Sequence, residues 1–287
     1  MNLSRLSIIG VGLLGGSIGL AARSRLTDCR IIGYGHRRET LERALEIGAI
    51  HEAAVSLGEA VRDADLVILC TPVLLFEETL QAISGYLKPG AIVTDVGSTK
   101  RTVVAAAARL LPPHAKFVGS HPMAGSEKRG VEFARTDLFE SALCLLTPTA
   151  QTDSAAVELV ESFWRALGMR IAEMSPEDHD AALAEVSHLP HAVAAALVHM
   201  PEPESLRLCG NGFLDATRIA GGDGGLWRDI FLDNADHVKA ALAKLRQSLA
   251  EFEALLEPGK SEVLRAWLDS AAVKRETLVN ERLKDQG

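Results

Sequence analysis

Cysteine is scarce in this chain, and the four present, Cys29, Cys70, Cys144 and Cys209, stand far apart. No two are spaced as CxxC, and no HExxH occurs. These absences exclude the familiar zinc modules and a disulfide framework, and they suit a reducing cytoplasm. Basic runs are missing too, so the chain shows no nucleic-acid footprint. The net charge of −8 and the pI near 5.6 bear on solubility, not on a partner. No uninterrupted apolar run is long enough to cross a bilayer, and no membrane role is expected. The closest approach to an export signal is Arg5, the apolar run after it and Ala21-Ala22. Five glycines, Gly10, Gly12, Gly15, Gly16 and Gly19, interrupt that run, and export is not expected.

With 287 residues the chain allows one large domain or two moderate ones. A hydrophobic fraction of 47% marks an ordered globular protein. Leu6 to Ile9 reads as a short strand, and Ser17 to Arg25 reads as a helix. The link between them, Gly10-Val-Gly12-Leu13-Leu14-Gly15, is a GxGxxG pattern in its diagnostic context. The first glycine permits a tight turn, the second admits a pyrophosphate, and the third lets helix pack on strand. The helix amino terminus supplies N–H donors for the phosphates. Gly10, Gly12, Leu13, Leu14 and Gly15 are therefore the expected cofactor loop.

The end of the second strand, Arg30 to Tyr34, bears on which cofactor. A carboxylate about 20 residues after the glycines would hold ribose hydroxyls. Here stand Gly35, His36, Arg37 and Arg38. A glycine leaves room for a 2′-phosphate, and guanidinium groups bind one bidentately. NADP is expected to be preferred, with NAD possible. Asp65 to Pro72 is the next buried strand, and Thr71 and Pro72 are expected beside the nicotinamide half. Ala91 to Val96 delivers Ser98, which reads as the N-cap of a helix running to Leu111. It also stands at a strand's carboxyl end, where ligands bind in open parallel sheets.

Phe117-Val118-Gly119 reads as a strand that stops and releases His121 into a Gly/Pro loop. With an ordinary pKa near 6.5, His121 is the candidate general base. Strand and helix alternate up to Glu173, with parallel pairing implied. Beyond it, Ser175-Pro176 reads as a helix start, and only helices follow. The expected fold is α/β: a Rossmann-type dinucleotide-binding domain over 1–173 and an all-helical domain over 174–287. His188 and His191 lie three apart on one helical face, without a recognisable third ligand, so no metal is expected. Asp215 and Arg218 allow either a surface ion pair or a grip on a substrate carboxylate. Val238, Leu242, Leu245, Leu249, Phe252 and Leu256 form a stripe expected to pack along a whole helix, as a domain core or a dimer seam.

GVGLLGGS, the strand-end GST, SHPMAGSEKRGVE, LTPT, SHLPHAV, FxDxTRIA and LWRDIF occur in this order. Together they resemble the prephenate/arogenate dehydrogenase family of tyrosine biosynthesis over nearly the whole chain. The resemblance implies NAD(P)-dependent oxidative decarboxylation of prephenate or arogenate, by a cytoplasmic homodimer joined through the helical domain. It implies catalytic roles for His121 and Ser98, and a substrate site at Ser126, Glu127, His191 and Arg218. It also implies a tryptophan, Trp227, that reaches the partner's site. Leu214 departs from the family's lysine before the aspartate, and Gly35 from its carboxylate. Lys128 and Arg129, if they face the pocket, tilt the choice toward prephenate, because arogenate's ammonium would favour an acidic neighbour. Two other readings compete. Hydroxyacid dehydrogenases share the two-domain plan but usually rely on a helical lysine, and none occurs between 174 and 238. A non-catalytic NADP-sensing module would bind cofactor and oxidise nothing.

Overall fold

Leu6, Ile8 and Ile9 are almost wholly buried because the strand that carries them has parallel neighbours on both sides. The computed structural model describes residues 3–125 and 128–284. In it the chain runs β1 (Arg5–Ile9), α1 (Leu13–Arg25), β2 (Arg30–Tyr34), α2 (Arg38–Glu46), β3 (Glu52–Ala53), α3 (Leu57–Val61) and β4 (Leu66–Leu69). It continues through α4 (Phe76–Ser84), β5 (Ile92–Asp95), α5 (Arg101–Leu110), β6 (Lys116–Pro122), β7 (Leu143–Thr147), α6 (Ser154–Ala166) and β8 (Arg170–Glu173). The eight strands form one sheet in the order β3-β2-β1-β4-β5-β6-β7-β8. One apolar core gathers Ile18, Phe163 and Trp164, and another gathers Phe76, Leu80 and Ile83. The strand order reverses between β1 and β4, which is where a doubly wound sheet opens a crevice at its carboxyl edge.

The expectation of parallel pairing holds except between β6 and β7, which pair antiparallel. Between them the described residues contain a 3₁₀ turn, Val131–Phe133, and no crossover helix. The chain therefore enters β7 from the end at which it left β6. Pairing with β7 also prolongs β6 through Pro122, and His121 lies opposite Leu145. His121 thus stands inside a strand, not in a loop.

No strand follows β8 among the described residues. Ser175 caps α7 (Pro176–Leu183), accepting the Asp178 N–H at 3.0 Å, with Pro176 in the first position as the sequence implied. A π-helical turn, Ala184–His188, leads into α8 (Leu189–His199). Then come α9 (Pro203–Leu206), α10 (Asn211–Thr217), a 3₁₀ turn (Arg218–Gly221) and α11 (Gly224–Asp233). Pro176–His199 is long and apolar enough to cross a membrane by length and composition. Here it carries the π turn within it and buries His179, Asp180, His188 and His191.

By packing, the first compact unit extends to Ala235 and the second begins at Asp236. The change of secondary structure near residue 174 is thus not a break in contacts. The Asp180 carboxylate accepts the N–H groups of Lys100 (2.8 Å) and Arg101 (3.0 Å), and Asn234 Nδ2 donates to the Asp180 carbonyl (2.7 Å). Most of α12 (Ala235–Ala254) and all of α13 (Ser261–Lys284) lie in the second unit. There the Phe252 and Trp267 rings approach to 5.3 Å. The expected stripe is not covered along its length: Leu249 is 56% exposed, and Leu256, beyond the end of α12, is 61% exposed.

Candidate active site

The carboxyl ends of β1, β4, β5 and β6 lie side by side on one edge of the sheet, and each delivers a candidate residue there. After β1, Gly10 adopts φ +99°, and a Cβ there would lie 2.7 Å from the Cys70 carbonyl oxygen. A Cβ on Gly15 would lie 2.1 Å from the Gly10 oxygen, so α1 presses directly on the turn. Gly12 caps α1 without a side chain, and the first turn holds no acidic residue. The first intrahelical bond from this end runs from Gly16 N–H to Gly12 O, at 2.8 Å. The N–H groups of Leu13, Leu14 and Gly15 are thus left for an anion. After β4, the Thr71 hydroxyl is buried without a hydrogen-bond partner among the described residues. A bare glycine cradle with an unsatisfied hydroxyl beside it fits a dinucleotide. At the end of β2, a Cβ on Gly35 would meet only Leu41 Cδ2, at 3.8 Å. His36 packs edge-on to Tyr34, Arg37 precedes α2, and exposed Arg38 pairs with Glu42 at 2.8 Å.

After β5, Ser98 is not the N-cap. Helix α5 starts at Arg101, and the carboxylate of Asp180 takes over the capping. Ser98 lines the cleft instead. Beneath it, Lys100 and Asp95 form a fully buried ion pair, and Lys100 Nζ donates to the Ser120 carbonyl at 3.0 Å.

On β6, His121 is 8% exposed, and its Nδ1 lies 2.9 Å from His179 Nε2. His179 Nδ1 lies 2.8 Å from Asp180 Oδ1. Burial would raise Asp180, but the His179 hydrogen bond and the Arg101 and Lys100 N–H groups outweigh it and hold its carboxyl low. Burial pushes His121 well below the usual histidine range, and His179, Lys100 and His188 push the same way. Burial lowers His179 too, against the pull of Asp180. The imidazoles are therefore neutral near pH 7, and their tautomers follow from the carboxylate. Asp180 accepts Nδ1–H of His179, and His179 Nε2 accepts Nδ1–H of His121. The nitrogen of His121 that remains for a ligand is Nε2, as a lone pair.

The cleft beside His121 has a volume of about 490 Å³ and is lined in part by Ser98, Met123, Arg135, Ser187 and Trp227. Trp227 is carried on α11, whose start is capped by Asp223 accepting the Leu226 N–H at 2.6 Å. The Trp227 ring stacks on His191, with centroids 3.5 Å apart and planes at 15°. His188 meets the same ring edge-on at 6.2 Å, so the two histidines do share a face. A larger depression of about 600 Å³ beside Arg5 and Tyr86 lies at the opposite end of β1 and holds no histidine.

Two family models span most of the chain. Residues 18–173 match the prephenate dehydrogenase nucleotide-binding domain, and residues 175–270 match the prephenate dehydrogenase dimerization domain. The chain belongs to the prephenate dehydrogenase family. It is 38% identical over 281 residues to a prephenate dehydrogenase of Bacillus subtilis, covering 94% of this chain and 75% of that one. It is 36% identical to a cyclohexadienyl dehydrogenase of Zymomonas mobilis, covering 85% and 88%. Among solved structures, the A. aeolicus prephenate dehydrogenase in complex with hydroxyphenyl propionate and NAD+ superposes with a TM-score of 0.91. It shares 37% identity, with 97% and 99% of the two chains covered. A Synechocystis arogenate dehydrogenase superposes with a TM-score of 0.83 at 31% identity, covering 96% and 99%.

The structure of this prephenate dehydrogenase family member gathers Ser98, His121 and Trp227 around one cleft, with His191 behind Trp227. Trp227 lines the cleft of its own chain. Arg218 is exposed on the turn that packs on α8 and does not line the cleft. Ser126 and Glu127 lie outside the described residues. Arg129 pairs with Asp223, and Lys128 sits 5.3 Å over the Phe133 ring; neither lines the cleft. Sequence reasoning missed Ser187, Arg135 and the pair His179-Asp180. The only local sign of that pair was a polar dipeptide just inside a helix start.

Proposed function

We propose that this protein oxidatively decarboxylates prephenate to 4-hydroxyphenylpyruvate, using a nicotinamide dinucleotide. The observation that carries this reading is His121: a neutral imidazole, Nδ1 occupied, facing the cleft at the sheet edge that bears the glycine turn. His121 Nε2 takes the proton of the substrate's ring hydroxyl as the ring carbonyl forms. Ser98 stands at the same cleft to hold that oxygen. A dinucleotide held at its pyrophosphate by the Gly10–Gly15 turn would supply the acceptor for the hydride of the hydroxyl carbon. The new ketone then receives the electron pair of the breaking carboxylate bond, and loss of carbon dioxide leaves an aromatic ring. His191 and Trp227 offer a flat wall to the substrate ring. No metal is needed, because the dienone is its own electron sink.

Prephenate is preferred here to arogenate because prephenate dehydrogenases are among the most similar relatives. NADP is favoured over NAD, since Gly35 leaves space where a carboxylate would repel a 2′-phosphate, with His36 and Arg37 beside it. A homodimer accords with the dimerization-domain match and with the exposed Val263, Leu268, Val273 and Leu278 of α13. The deciding assay follows reduced-nicotinamide absorbance with prephenate, arogenate and a panel of hydroxyacids. Turnover with prephenate at the highest kcat/KM is expected. A higher value for arogenate replaces the substrate, and cofactor binding without any turnover leaves only the NADP-sensing module.

A further inference from the structure

We infer that His179 and Asp180 are positioning residues for the base: they fix His121 in the tautomer that presents an unprotonated Nε2 to the substrate, and they stabilise the imidazolium that forms there. This inference rests on the proposed function. Three contacts carry it. His121 Nδ1 lies 2.9 Å from His179 Nε2, and His179 Nδ1 lies 2.8 Å from Asp180 Oδ1. His179 and Asp180 are sealed from solvent, at 0% and 1% exposed, so no water competes for these bonds. Asp180 itself is fixed from three sides, by the Lys100 and Arg101 N–H groups on its carboxylate and by Asn234 on its carbonyl.

The direction of each proton follows from the carboxylate. An ionised Asp180 only accepts, so His179 must carry its proton on Nδ1 and offer a lone pair at Nε2. That lone pair draws the His121 proton to Nδ1. The reverse tautomer of His121 would place two lone pairs against each other at 2.9 Å. During the reaction the substrate's hydroxyl proton moves to His121 Nε2, and the positive charge is balanced through neutral His179 by the Asp180 anion. The carboxylate stays ionised throughout, as in a serine-protease triad. Loss of carbon dioxide leaves a phenolate at the same oxygen, and the proton held on Nε2 returns to it.

The charged and titratable groups facing His179 are His121 from β6, Asp180 from α7, Lys100 from the start of α5, Asp95 from β5 and His188 from the π turn. Lys100 is already neutralised by Asp95, and Arg101, whose Nε lies 3.4 Å from the other Asp180 oxygen, Oδ2, also pairs with Glu177 at 3.6 Å, which leaves Oδ1 to His179. Asp180 is therefore the anion positioned to balance charge on the imidazole pair.

The test compares His179→Leu, which removes both hydrogen bonds, with His179→Gln, whose amide can accept from His121 and donate to Asp180. The expected result is a fall in kcat of roughly 10- to 100-fold for Leu, with part of it recovered in Gln. The cofactor Kd stays within about twofold in both. Asp180→Asn removes the charge, and the acidic limb of kcat is expected to move to lower pH, since an imidazolium without its counter-anion deprotonates more readily. Turnover of His179→Leu within about threefold of wild type, or Gln no better than Leu, overturns the inference. If Leu does not fold, as judged by loss of cofactor binding, the Asp180→Asn pH profile decides, and an unmoved limb overturns it. His121→Asn, run in parallel, separates the two levels. If it keeps full turnover, the base itself is refuted. If it is inactive while the His179 variants are normal, only the positioning role is lost.

Discussion

Trp227 lies flat on His191, ring centroids 3.5 Å apart, and lines the cleft beside His121. Gly222 makes this possible, because a Cβ there would stand 2.7 Å from the Trp227 indole nitrogen and 2.8 Å from His191. Trp227→Ala should raise the substrate KM about tenfold, a loss of about 1.4 kcal/mol, in the range of one aromatic stack. kcat should change little. Initial-rate kinetics check this, and an unaltered KM removes Trp227 from the substrate wall.

His121→Asn should lower kcat by about 10²–10⁴, the usual size of general-base catalysis. Cofactor binding, followed by quenching of tryptophan fluorescence, should be retained. A variant with wild-type turnover would make His121 a structural residue only.

Acid should act on this fold through its buried histidines. Burial holds His188 down to about 4, against 6.5 when unfolded. Below about pH 6.5 the unfolded chain therefore takes up a proton that the native state refuses, and stability falls until about pH 4. That group alone accounts for about 3 kcal/mol of the loss. Urea titrations at a series of pH values should show the decline, and His188→Gln should flatten it. Burial also pushes the base His121 well below the usual histidine range, so the acidic limb of kcat/KM should lie below the ordinary histidine value.

Lys100→Met should destabilise the protein by about 3–5 kcal/mol, because it leaves Asp95 buried without its counter-charge. Adding Asp95→Asn should restore much of that. Chemical denaturation of the two single variants and the double variant reads the coupling directly; additive losses would mean the pair does not act as a unit.

Gly35→Asp should shift preference from NADP to NAD, lowering the NADP kcat/KM by about tenfold or more through charge repulsion at the 2′ position. The backbone tolerates the change, since a Cβ meets only Leu41 at ordinary contact distance. Retained NADP preference would place 2′-phosphate recognition elsewhere.

Much of the sheet was legible because buried parallel strands announce themselves as apolar runs between glycine and proline breaks. Arg30–Tyr34 was read to the residue, and the glycine turn declared both its conformation and its ligand class. The antiparallel β7 was not legible, because direction depends on which end of the sheet the connection leaves, and no local pattern records that. Ser98 resembled a cap because the true cap, Asp180, lies 80 residues beyond Lys100, whose N–H it accepts. For the same reason His179 read as one polar residue in a helix start: its partner His121 is 58 positions away. Arg218 is a different case. Its motif is plain in the sequence, yet the fold leaves the side chain at the surface of this chain.

Because one carboxylate both terminates α5 and orients the imidazole pair, the nucleotide half does not contain its own chemistry. A chain cut after residue 173 would lack His179, which faces His121 Nδ1, and Asp180, which caps α5.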